Sequence, residues 1–149
     1  MRKIDMENSV GTAIFLASKS LERAAEYRIK NELGLTSSQW KVILALKFFN
    51  GISQKELAGK IYVDGSTLVP VIDKMENGGL VERKPDPNDR RNNLIFLTKK
   101  SESIIDSIIE ILLQLRKEFY KGISQKEQDK VQTILRKITD NADNTLNKK

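Results

Sequence analysis

Cysteine and histidine are both absent from the 149 residues, and each absence closes a class of chemistry. Without cysteine there is no disulfide, no thiol redox sensor and no thiolate nucleophile. Without either residue the usual zinc-binding sets cannot be assembled, and the commonest general base is missing. Long apolar runs are lacking too: none approaches the ~18–20 residues of a membrane span. The opening Met1-Arg2-Lys3-Ile4-Asp5 turns polar too soon for a secretory signal. The expectation is a soluble cytoplasmic protein with no cofactor and no metal.

What is present is charge. Charged residues reach 31% against 39% hydrophobic, a mix that suits long amphipathic helices with broad solvated faces. The net charge of +6 is compatible with a polyanionic partner. The excess is spread thinly along the chain, so charge alone supports nucleic-acid binding only weakly.

Apolar steps of three and four mark the helices. Val10, Ile14, Ala17, Leu21, Ala24, Ala25, Ile29 and Leu33 draw one stripe, closed by Gly34. Thr36-Ser37-Ser38-Gln39 is a capping box, and Trp40, Ile43, Leu44 and Leu46 follow it; Asn50-Gly51 closes this second helix. Ser53-Gln54-Lys55-Glu56 caps a third helix with Leu57, Ala58 and Ile61 inside. A fourth lies between Asp64 and Asn77, burying Leu68, Val71, Ile72 and Met75, and Gly78-Gly79 ends it. Leu80–Lys84 and Asn93–Leu97 read as strands around the turn material Pro85-Asp86-Pro87-Asn88-Asp89, a loop long enough to project as a flexible arm. Thr98 is placed to cap a fifth helix bearing Ile104, Ile105, Ile108, Ile109, Leu112, Leu115 and Phe119. Gly122 breaks it, and Ser124-Gln125-Lys126-Glu127 opens a last helix with Val131, Ile134, Leu135, Ile138 and Leu146. The hexapeptide Gly-Ile-Ser-Gln-Lys-Glu occurs at both 51–56 and 122–127; similarity stops there, which favours shared helix-start grammar over duplication.

The fourth helix and the hairpin carry the functional signal. Burying one face of that helix turns Ser66, Thr67, Val69, Pro70, Asp73 and Lys74 outward, a small polar surface able to enter a major groove. Pro70 bears on where the helix begins. A start at Asp64 puts its ring against the Ser66 carbonyl at a cost of ~3 kcal/mol. A cap at Ser66 or Thr67 puts it in the first turn, and that later start is the expectation. The hairpin gathers Arg83, Lys84, Arg90 and Arg91 around a turn with nothing apolar to bury. An arginine at such a tip suits a narrow minor groove, and Asp89 makes sense as the partner that fixes one arginine while the other reaches DNA.

Here a family resemblance becomes specific. Leu33-Gly34-Leu35-Thr36-Ser37-Ser38-Gln39-Trp40 and Ser53-Gln54-Lys55-Glu56-Leu57-Ala58 resemble the multiple-antibiotic-resistance regulator (MarR) family. So do Gly79-Leu80-Val81-Glu82-Arg83, Asp86-Pro87-Asn88-Asp89-Arg90-Arg91 and Leu97-Thr98, in the family's order and spacing. The resemblance implies a mainly α protein with a small β-hairpin: a winged helix–turn–helix over residues 35–98, flanked by dimerisation helices at 1–34 and 99–149. It implies recognition by the helix holding Ser66, Thr67, Pro70 and Lys74, with Arg90 or Arg91 at the wing and Asp89 as its structural partner. The candidate DNA-binding set is Ser53, Gln54, Ser66, Thr67, Val69, Pro70, Lys74, Arg83, Lys84, Arg90 and Arg91. Peroxide sensing by cysteine and zinc sensing by histidine, both found in the family, are excluded. The glycine usual soon after the Leu-Thr pair gives way to Lys99-Lys100-Ser101, which should alter only the start of the fifth helix.

The expected function is therefore a homodimeric, sequence-specific regulator of transcription acting as a repressor on a pseudo-palindromic DNA duplex. A small aromatic or anionic effector fits the family pattern; Trp40, Phe15, Tyr27, Phe48, Phe49 and Phe119 are equally plain core aromatics or lining for its cleft. The alternative is a winged-helix protein–protein module without specific DNA binding. An enzyme is a poor reading, since no phosphate loop or nucleophile motif is present.

Overall fold

The computed structural model describes residue 5 and residues 7–147; the polar run Met1 to Ile4 lies outside the described residues. The order is α1 (Val10–Leu33), α2 (Ser37–Phe48), β1 (Ile52–Ser53), α3 (Gln54–Lys60), α4 (Gly65–Asn77), β2 (Val81–Pro85), β3 (Asn93–Leu97), α5 (Glu102–Phe119) and α6 (Gln125–Leu146). The chain divides into two compact units, one up to Leu113 and one from Gln114 onward, with α5 running across the division.

Local chemistry sets the helix ends. Capping boxes close reciprocally at Thr36 with Gln39, Ser53 with Glu56 and Ser124 with Glu127, each satisfying two otherwise orphaned donors. Gly34 takes the left-handed conformation, and its N–H donates to the Lys30 carbonyl. Both copies of the repeated hexapeptide begin on a positive-φ glycine and end in a capping box, yet only the first supplies a strand. This is shared helix-start grammar.

Within the first unit, α2 is the centre. Val42, Ile43 and Leu46 are fully buried, and Leu57 of α3, Leu68 and Ile72 of α4 and Ile95 of β3 are equally inaccessible. The sheet runs β1-β3-β2 and is antiparallel throughout, with Val81 opposite Leu97, Arg83 opposite Ile95 and Ile52 also opposite Ile95. Because β2 is an edge strand, Pro85 at its end deprives no inner neighbour of a donor. Strand β1 was not expected: two residues give no periodicity, and their partner lies some forty positions away. On α1, Lys41 of α2 forms ion pairs with Glu22 and Glu26, holding the two helices together.

Three expectations need correction. Helix α4 begins at Gly65 with Asp64 at its cap, so Pro70 stands inside it. The Asp64 carbonyl accepts from both Thr67 (3.0 Å) and Leu68 (3.2 Å), and full burial of Leu68, Ile72 and Met75 accompanies that geometry. Burying three such side chains contributes roughly 4–9 kcal/mol, more than the ~3 kcal/mol a proline costs. Ser66, whose carbonyl Pro70 cannot satisfy, is an exposed residue. Thr98 stands at the N-cap of the 3-10 turn Lys99–Ser101 ahead of α5, but its side chain does not cap it: the hydroxyl donates to the Gly79 carbonyl at 2.5 Å, stapling the end of β3 to the turn before β2. The loop of residues 86–92 is tied rather than loose, with Asp86 N–H donating to Asn92 O (3.0 Å) and Asn92 N–H to Asp89 O (2.9 Å). Ser101, in the Lys99-Lys100-Ser101 segment that stands where the family's glycine is usual, is buried in a 3-10 turn leading into α5 and donates to the Thr98 carbonyl at 2.6 Å.

The two ends differ from the centre. On α1 only Ala25 and Ile29 are buried, while Val10, Phe15 and Leu16 are more than half exposed; α6 buries nothing. In contrast Ile105, Ile108 and Ile111 of α5 are buried within the chain itself. Ile108 is therefore core within one chain.

Gly51 and Gly34 make a useful pair. Both have positive φ, but a Cβ on Gly34 meets open space, whereas one on Gly51 would sit 2.6 Å from Cε1 of Phe96. Gly34→Ala should cost only about 1–2 kcal/mol through its backbone. Gly51→Ala should cost about 2–4 kcal/mol because the clash with the ring is added. Thermal melts of the two variants check the ranking; equal losses would mean Phe96 moves aside freely.

Candidate nucleic-acid interface

The face of α4 opposite Leu68, Ile72 and Met75 carries Ser66, Thr67, Val69, Pro70, Asp73 and Lys74, all exposed. Helices α3 and α4 enclose a groove of about 420 Å³ in which Gln54 and Val69 both stand. Ser53 lies at the start of α3 with its hydroxyl engaged as a cap, accepting from the Glu56 N–H at 3.1 Å. That same reciprocal bond, led by the Ser53 backbone N–H, holds the Glu56 carboxyl below its ordinary value.

The loop between β2 and β3 is organised by two aspartates. Asp86 accepts from the Asn88 N–H at 2.8 Å, a local turn of the kind Asx residues favour. Asp89 accepts from the Arg91 backbone N–H (3.1 Å), from Nε (3.1 Å) and from Nη2 (3.4 Å). The Arg91 side chain and backbone bonds lower the Asp89 pKa, so its charge is secure at neutral pH. Arg91 nonetheless keeps 90% of its side-chain surface in solvent. Arg90 is also exposed and, among the described residues, has no ion-pair partner. Asp89 thus fixes Arg91, which answers which of the two arginines it holds.

The other basic candidates divide. Lys84 is half-exposed, pairs with Glu82 at 2.9 Å and lies 4.8 Å over the Phe96 ring. Arg83 stands apart: Nη1 donates to Glu76 Oε2 and Nη2 to Asp73 Oδ1, both at 2.6 Å, and only 19% of its side chain is exposed. Burial opposes its charge, but the bonds to Asp73 and Glu76 outweigh that and raise its pKa. Sequence reading grouped Arg83 with the free cations and gave Asp73 and Glu76 no task. The available signal was their i, i+3 spacing, which puts both on one side of α4.

The arrangement is a helix with a small polar outer face beside a hairpin with an arginine-bearing loop. A MarR family model matches residues 35–92. The transcriptional regulator SarZ of Staphylococcus haemolyticus is 29% identical over 136 residues, covering 91% of this chain and 90% of that protein. The transcriptional regulator HosA of Escherichia coli O111:H- is 34% identical over 104 residues, covering 70% of this chain and 77% of that protein.

The chain belongs to the MarR family.

Among solved structures, a cysteine-to-serine variant of MarR from E. coli in complex with operator DNA is similar at 26% identity and a TM-score of 0.76. The match covers 87% of this chain and 92% of that one. The six helices and three-stranded sheet are thus a MarR winged helix. Among the described residues no helix is long and apolar enough to cross a membrane, and no cluster of acidic, cysteine or histidine side chains is arranged to hold a metal.

A second concavity in the first unit, of about 570 Å³, is lined by Lys19, Lys41, Lys60, Trp40, Phe48, Phe49 and Tyr62 among others. Lys60 lies 3.9 Å over the Phe49 ring. The Trp40 ring nitrogen is buried there without a hydrogen-bond partner. Of the other aromatics singled out from sequence, Phe15 and Tyr27 stay exposed on α1 outside this concavity, and Phe119 belongs to the second unit.

The position of Pro70 yields a direct test. Pro70→Ala should restore the missing N–H within α4 and raise stability by about 1–2 kcal/mol, after allowing for the more flexible unfolded chain. If α4 instead began at Thr67, the alanine would gain no bond and a thermal melt would show no increase.

Proposed function

We propose that this protein is a homodimeric, sequence-specific DNA-binding regulator of the MarR family that represses transcription from a pseudo-palindromic operator. The observation that carries this is the pairing of the exposed Ser66, Thr67, Val69, Pro70 and Lys74 on α4 with an adjacent loop whose Arg91 is held out by Asp89. In this reading α4 lies in the major groove, with Ser53 and Gln54 at the α3 start and Lys84 beside the phosphates. This reverses the expectation that the arginine not held by Asp89 reaches the DNA: Arg91 is the better minor-groove residue, because a side chain already oriented loses less freedom on binding. Arg90 then serves the backbone.

A second copy supplies the symmetry. The exposed apolar residues of α1 and α6 give a self-complementary partner something to cover, and a twofold pair reads half-sites about one helical turn apart. The concavity lined by Trp40, Phe48, Phe49 and Tyr62, where Glu22 pairs with Lys19 and Lys41 and leaves Lys60 over the Phe49 ring, supports a small aromatic effector. The Asp89 carboxylate is ionised well below neutrality, so acidification to pH 6 leaves the wing intact.

Selection from a random duplex library, followed by titration at several salt concentrations, tests the reading. An enriched pseudo-palindrome whose log K falls steeply with log salt is expected. No enrichment and a shallow slope would refute it in favour of a protein–protein module. On the selected duplex, Arg91→Ala should weaken binding by about 1–3 kcal/mol and Arg90→Ala by less, with a smaller salt slope in each. Wild-type affinity in both would remove the wing assignment.

Val131→Glu combined with Ile134→Glu tests the dimer. Both residues are about half exposed in one chain, so the variant should fold yet scatter light as a monomer. A dimer unchanged in mass would refute the role of α6.

A further inference from the structure

The connection from α4 to β2 is only Gly78, Gly79 and Leu80, and their N–H groups donate to the Lys74, Glu76 and Met75 carbonyls at 2.9–3.0 Å. Those bonds and the burial of Val81 and Ile95 seat the base of the hairpin, and Arg83 adds a contact two residues further along β2. Arg83 bridges Asp73 and Glu76 at 2.6 Å each, while its own backbone N–H donates to Glu76 Oε1 at 3.1 Å. One carboxylate therefore grips both the main chain and the side chain of a single β2 residue. The planar guanidinium is the group that can reach two acids one turn apart, and Arg83 is mostly shielded from solvent. Carboxylates at positions 73 and 76, flanking the exposed Lys74, would only repel a polyanion if they had no other task.

We infer that Arg83 is a positioning residue rather than a DNA contact. Through Asp73 and Glu76 it clamps β2, and with it the wing loop, to α4, so that both elements meet the duplex at one fixed spacing. The inference rests on the DNA-binding reading above.

Glu76→Gln is the deciding variant, because it removes negative charge beside the proposed DNA face and leaves Arg83 in place. Simple electrostatics predicts tighter binding. The clamp predicts about tenfold weaker binding to the selected duplex, with binding to random duplex held or increased. Arg83→Ala should lose a similar factor while keeping the parent's salt slope; a true phosphate contact would reduce that slope by about 0.9. Combining the two substitutions should lose little more than either alone. Arg83→Lys should rescue little, since an ammonium does not span both acids. Equal or tighter binding by Glu76→Gln, or a reduced slope in Arg83→Ala, overturns the clamp.

Amide exchange without DNA gives an independent reading. The Arg83 N–H should exchange faster in Glu76→Ala, which removes its acceptor, than in the parent, and unchanged exchange also overturns the clamp. A parent that prefers no duplex would instead refute the functional reading, with exchange still deciding the clamp.

Discussion

A helix can bury only one side, and in α4 that side is chosen by Leu68, Ile72 and Met75. Much of the first unit follows from their complete removal from water. It draws α4 onto α3 and β2, and it absorbs the cost of a proline inside the helix. It also determines by exclusion which residues face outward. The candidate interface is therefore a by-product of core packing: the polar face is where it is because the apolar face is satisfied. A substitution that rotated the buried stripe by one residue would move the outer set by about 100° and replace every side chain offered to a groove.

Charge in the first unit is organised locally, and this explains why a modest net charge is sufficient. Asp89 and the Asp73–Glu76 pair each sit beside an arginine, lowering the local positive excess. What they contribute is direction. An exposed arginine samples many rotamers, and a neighbouring carboxylate that restricts it shifts part of the ordering cost of binding into folding. Counting lysines and arginines misses this, because the acids that appear to cancel them are the ones that aim them.

The same distinction separates what was legible in the sequence from what was not. The capping boxes at Thr36, Ser53 and Ser124 were readable because donor and acceptor lie three residues apart. The outward set on α4 followed from periodicity alone. The return strand was found at Asn93–Leu97 because its short apolar run beside turn residues is a local signal. Strand β1 was invisible, since its pairing with Leu94 and Ile95 depends on a fold not yet formed. The start of α4 was misjudged for a related reason: the proline penalty is local and the packing that outweighs it is not. Thr98 and Arg83 had the right chemistry for several partners, and only the approach of the Gly78-Gly79 turn to β3 and of β2 to α4 selected the Gly79 carbonyl for one and Asp73 with Glu76 for the other. The repeated hexapeptide shows this in a single pair, where identical residues make identical caps and only one copy finds a neighbouring strand.

Helix α6 has no buried residue, although its apolar side chains recur along its length. A helix in that condition draws little stability from packing within its own chain. Where a second copy covers that face, the stretch that is marginal in one polypeptide becomes firm in two, and the balance between them follows the amount of protein synthesised. Abundance would then act as an input in its own right: a cell making few copies would hold a different proportion of ordered chains from one making many, before any effector arrived.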